Sequence, residues 1–189
     1  LLALNQVQLG AFNSTLVANI SSTAVAAFAT TQIQAFTAAN IGDLSETQVA
    51  ALTAAQIQAL TSTQVATFDA SQLGAMTTTQ IAAMTASQVR SLTATSVGAL
   101  ADTQIAALTA TQIGSLSATA FATFDATQVG ALTNAQVGAI TRAQVSLLTN
   151  ATLSALDSAQ VGAMNATQIK IRICGRKTVK MSSANRRKN

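Results

Sequence analysis

The chain has 189 residues, of which 8% are charged, 49% hydrophobic and 3% aromatic, with no His, Pro, Trp or Tyr. An ordinary soluble domain is about a quarter charged, so the polar surface here must be built from Thr, Ser, Gln and Asn, and imidazole catalysis and His metal ligands are excluded. The net charge of +4 joins two unlike pieces: residues 1–169 carry all six acids (Asp43, Glu46, Asp69, Asp102, Asp125, Asp157) against only Arg90 and Arg142, a balance of −4, which rules out a basic nucleic-acid face on the body.

The chain opens on LLALNQVQL, with no initiator Met and no charged stretch before its apolar residues. It reads as part of something longer, with any export signal elsewhere. From Leu4 onward an eight-residue phrase repeats without insertion or deletion for 21 octads. Position 1 is Leu, Ile, Met or Phe in every octad, from Leu4, Phe12 and Ile20 to Met164. Position 6, from Leu9 through Ile113 to Ile169, is always a large apolar residue. Position 2 is Ser, Thr, Asp or Asn in 19 octads, Ala29 and Ala101 being the exceptions, and position 5 is Gln in 15. All eight glycines of the repeat, Gly10 to Gly162, fall at position 7. Unbroken register of this kind marks a solenoid, in which each repeat is a structural unit stacked on its neighbours.

A single long helix cannot satisfy the pattern, because at 100° per residue positions 1 and 6 of successive octads drift around the cylinder instead of forming a stripe. A single straight strand fails too, since positions 1 and 6 have opposite parity. A short capped helix in each octad accounts for all four position classes. Position 2 is the N-cap, position 5 is the Gln of a capping box, and positions 1 and 6 are the N′ and N4 residues of a hydrophobic staple. Gly at position 7 would let the helix turn away. The expected fold is therefore all-α, a solenoid of very short capped helices over residues 1–169. A β-solenoid is the rival, favoured by the β-branched residues and disfavoured by abundant Ala and by Gln at position 5.

The octads offer little chemistry. Asp69, Asp125 and Asp157 stand at position 2, where Asp is one more N-cap. No P-loop, GxSxG or calcium nonapeptide occurs. No catalytic, cofactor-binding or metal-ligating residue is therefore expected, and no cofactor. Thr pairs at positions 2 and 4 (Thr61/Thr63, Thr77/Thr79, Thr93/Thr95, Thr109/Thr111) would form a hydroxyl ladder on strands, resembling ice-binding β-solenoids, and with the position 5 glutamines would present Thr and Gln ladders to ice or a glycan; on helices the threonines are caps and solvated surface. Sequons occur at Asn13, Asn19, Asn150 and Asn165, as chance allows in a chain this rich in Asn, Ser and Thr. No run of 18 apolar residues is present to span a membrane.

At Lys170 the octad pattern stops. KIRICGRKTVKMSSANRRKN carries the remaining eight cations and the single cysteine, Cys174. A basic arm for an anionic surface and an end foreign to the repeat are both open for residues 170–189.

The segments ALTAAQIQALTSTQV (51–65) and ALTATQIGSLSATAF (107–121) resemble the LTxxQ(V/I)AAL repeats of very large bacterial secreted proteins of hemolysin-type, RTX-like or filamentous-adhesin character. The resemblance covers roughly residues 4–169. It implies an extracellular, elongated repeat region of a Gram-negative secreted or cell-surface protein and carries no catalytic residue with it. The expected role is non-enzymatic, a spacer, stalk or adhesive rod. A glycan or cell-surface partner and self-association through the nearly uncharged surface are the associations left open.

Overall fold

The structure is a computed structural model that describes residues 4–169. Its twenty assigned helices are four to six residues long, one per octad from Gln6–Gly10 to Ser158–Ala163, and a last helical turn lies at 166–169. No strand occurs among the described residues, so the β-solenoid alternative and the strand-borne Thr ladder fall. The basic tail and Cys174 lie outside the described residues.

Each octad folds as its positions dictate. Position 2 is extended, as at Thr109 with φ −71° and ψ 161°, and its side chain accepts a hydrogen bond from the N–H three residues on. Of the twenty assigned helices, only those capped by Ala29 and Ala101 lack this bond. Position 1 of the following octad is also commonly extended, as at Leu92 with φ −64° and ψ 142°. Two successive extended residues thus turn the chain between helices. The glycine expectation is corrected here. No described residue has a positive φ, so position 7 does not terminate its helix through a left-handed glycine.

At six of the eight, all but Gly74 and Gly162, glycine at position 7 instead answers a close approach from the coil above. A Cβ on Gly114 would stand 2.8 Å from the Ala139 carbonyl oxygen, and one on Gly42 would stand 3.2 Å from the Thr67 Cβ. In both cases the partner occupies position 8 of the octad three further along, which already measures the coil. Every assigned helix packs against the helix three octads later, from the first to the seventeenth. Three octads therefore make one coil, and the described octads stack as seven coils.

Helices this short are not stable alone in water. The array supplies the missing contacts, because positions 1 and 6 point inward and form one continuous core from Leu9 to Leu148. Burying side chains of this size contributes about 1.5–3 kcal/mol each. Position 6 is fully enclosed through Val145 and then opens, with Val161 45% and Ile169 39% exposed. The reason is directional: each position 6 residue is covered by the coil that follows, and the last described coil has no described successor. Aromatic residues at position 1 pack edge-on, Phe12 with Phe36 across the seam between coils at 5.9 Å and Phe28 with Phe36 between consecutive octads at 5.6 Å between ring centroids.

A longer period runs over the octad. Phe12, Phe68 and Phe124 stand seven octads apart, as do Asn40, Ser96 and Thr152, each a short polar residue in place of Gln at position 5. The two four-residue helices, Ser62–Val65 and Ala118–Phe121, keep the same interval. So do the contacts Gly42 on Thr67 and Gly98 on Thr123. Seven octads make this larger unit. Because seven is not a multiple of three, each successive unit begins one face further round the coil.

Candidate functional site

The feature that organises this molecule is the row of position 5 glutamines. In a typical octad such as 84–91, Gln88 Oε1 accepts from the Thr85 N–H at 2.7 Å while Thr85 Oγ1 accepts from the Gln88 N–H at 3.2 Å, closing the capping box. Gln88 Nε2 is then free to donate outward. It reaches the preceding coil, giving its hydrogens to the Leu60 carbonyl at 2.6 Å and the Ile57 carbonyl at 2.8 Å. The Ile57 carbonyl, at the helix end, also accepts from the Leu60 N–H at 3.2 Å, while the Leu60 carbonyl lies beyond the helix, where a short helix leaves acceptors to be satisfied from outside.

The same geometry repeats along the chain. Gln56 donates to Val25 and Phe28, Gln80 to Val49 and Leu52, Gln104 to Leu73 and Met76, and Gln144 to Ile113 and Leu116, all between 2.6 and 2.9 Å. These side chains are buried, Gln144 completely and Gln88 to 1% exposure. A buried primary amide is costly unless it is satisfied, and here one residue serves its own cap and the carbonyls of the preceding coil. Shorter substitutes keep part of the function, Asn40 Nδ2 donating to the Phe12 carbonyl at 2.7 Å and Ser96 Oγ to that of Phe68 at 2.9 Å.

The sequence pattern places the glutamines in the capping box or, on strands, in a Thr and Gln ladder, and neither placement includes this second role. The signal was present. A capping box accepts Glu as readily as Gln, yet no octad has Glu at position 5. Only the amide carries a donor, and the exclusion of Glu points to an acceptor waiting outside the octad.

The acids fall where the sequence placed them. Asp69, Asp125 and Asp157 are N-caps whose Oδ1 atoms accept from the N–H groups of Gln72, Gln128 and Gln160 at 2.7–2.8 Å. Glu46 and Asp69 border an open recess of about 400 Å³ with Ser45, Thr47, Ser71 and Gln72. Among the described residues no three His, Cys, Asp or Glu side chains gather in a way that could hold a metal ion. The Thr pairs take separate parts: Thr109 caps its helix while Thr111 faces solvent. Asn13 and Asn165 are exposed caps, and Asn19 donates from Nδ2 to the Thr15 carbonyl. No described helix is long and apolar enough to cross a membrane.

An all-α repeat solenoid of octads, stitched coil to coil by buried amides, is the class that this fold and this row of residues define. In comparison with known proteins, residues 25–62 match the model of the ALTTAQ repeat, a segment that holds the first fully stitched octads. Neither a curated protein nor a solved structure matches the chain.

Proposed function

We propose that the array is a non-enzymatic structural rod, a spacer or stalk with adhesive capacity along its sides, in a bacterial secreted or cell-surface protein. The observation that carries this reading is that each octad packs on the octad three later through a recurring set of contacts. Such an array grows along one axis, and its length changes by whole coils without redesign of the rest. The body surface is composed of Thr, Ser, Ala, Asn and Gln with few charges, so contacts along the sides would be hydrogen-bonded and largely insensitive to salt. The resemblance of the octads to repeats of large bacterial secreted proteins supplies the setting.

The test is deletion of one coil, residues 76–99, from the protein that carries the array. A spacer predicts a folded product whose longest dimension in small-angle scattering falls by about 10 Å, the spacing of packed helices, with the reach of whatever it presents shortened accordingly. Unchanged performance after loss of two coils, together with loss of adhesion when exposed position 4 threonines are replaced by Ala, would reject the spacer role.

A further inference from the structure

The coil-to-coil stitch is continuous and then lapses. From octad 4 to octad 14 every position 5 side chain donates across the seam, the short residues Asn40 and Ser96 through one bond each. In octad 15 the residue is Ala120, which has no side-chain donor. In octad 16 Gln128 retains one long bond, 3.3 Å to the Leu100 carbonyl. In octad 19 Thr152 turns its hydroxyl back to Thr149. Stitching resumes at Gln136, Gln144 and Gln160. Residues 116–131 are thus two consecutive octads with a single weak amide bond to the coil beneath.

What fills that space is aromatic. Ala120 and Phe121 are both fully buried, and Phe121 stands 5.0 Å from Phe124 at an interplanar angle of 51°. Apolar contact is non-directional, whereas a hydrogen bond is lost over a fraction of an ångström and a few tens of degrees. The seam below residues 116–131 therefore resists separation by burial but has few of the directional bonds that lock coils in register from octad 4 to octad 14. A linear array opens where its nearest-neighbour interface is weakest.

We infer that residues 116–131 are a built-in yield point, the pair of octads at which the rod first opens when it is loaded or destabilised, while residues 44–91 stay folded as one stitched unit. This follows from the seam itself and does not depend on the spacer reading.

Hydrogen exchange of the full chain, resolved by segment, tests it. Amides of 116–131 are expected to exchange about tenfold faster than those of 76–91. The double variant Ala120→Gln with Phe121→Ile, which copies the Gln112–Ile113 pair of the octad before, is expected to remove most of that difference. The reverse change, Gln88→Ala with Val89→Phe, is expected to create a second fast segment at 84–91. Equal protection of the two segments in the unaltered chain overturns the inference. So does a smooth gradient toward the C-terminal end that the first variant leaves unchanged, since that is simple fraying. Should the first variant fail to fold, unaltered exchange at 84–91 in the second overturns the inference equally.

Discussion

Replacing Gln88 with Glu separates the two roles of position 5 in a single substitution. The side chain keeps its shape, and its carboxylate can still accept from the Thr85 N–H, so the capping box survives. What is lost are the donations to the Ile57 and Leu60 carbonyls at 2.8 and 2.6 Å. The Leu60 carbonyl loses its donor, the Ile57 carbonyl keeps the Leu60 N–H at 3.2 Å, and a negative charge is set against both at a position 1% exposed. Stranding a buried polar group costs about 1–3 kcal/mol, so the one stranded carbonyl and the buried charge together predict a loss of about 3 kcal/mol at neutral pH. The carboxyl escapes part of this by staying protonated, because the protonated form can donate one bond. Its folded pKa is then raised above the unfolded value of about 4.3, the native state binds more protons, and stability falls as pH rises from about 4 toward 7. Urea unfolding followed by helical circular dichroism at pH 4 and pH 7 reads the effect. A Gln88→Glu chain as stable as the parent at pH 7, with no pH dependence of its own, would show that the cross-coil bonds do not hold the coils together.

Other perturbations distinguish the parts of the octad. Thr109→Val removes one cap and should cost about 1 kcal/mol, measured by thermal melting, whereas Thr109→Val with Gln112→Val should cost severalfold more, because Gln112 also donates to Ile81, Ala82 and Met84. Leu108→Asp with Ile113→Asp buries two charges in the core and should abolish the helical spectrum of the central coils. Gly114→Ala should destabilise by about 1 kcal/mol or more, since the new Cβ meets the Ala139 carbonyl oxygen at 2.8 Å. Gly74→Ala meets nothing within 4 Å and should stabilise by about 0.5–1 kcal/mol through the helix alone; equal shifts in melting temperature for the two glycines would refute the close-approach account of position 7.

Most of the local structure was legible because one octad contains its own instructions. Thr109, Gln112, Leu108 and Ile113 are cap, box partner and staple within one octad, and no distant contact is needed to recognise them. The number of octads per coil was not legible in that way, because a perfect octad repeat looks the same whichever neighbour it packs against. Only departures from the repeat carry that information. Gly42 is paired with Thr67, and Gly98 with Thr123, each pair separated by one coil plus the step from position 7 to position 8. Asn40 and Ser96 likewise become intelligible only once the reach from position 5 to the carbonyl of the preceding coil is known. Gly at position 7 was misread because a helix end and a close approach select the same residue, and the backbone angles alone separate them.

The central claim is that three octads close one coil, and chemical cross-linking tests it directly. In a Cys174→Ser background, Thr63→Cys with Ser87→Cys places two exposed thiols three octads apart, on stacked octads, while Thr63→Cys with Thr79→Cys places them two octads apart on different faces. A rigid bis-thiol linker of about 10 Å, the spacing of packed helices, is expected to join the three-octad pair rapidly and the two-octad pair hardly at all. Equal rates, or faster closure of the two-octad pair, would contradict the three-octad coil and with it the row of glutamines that defines it.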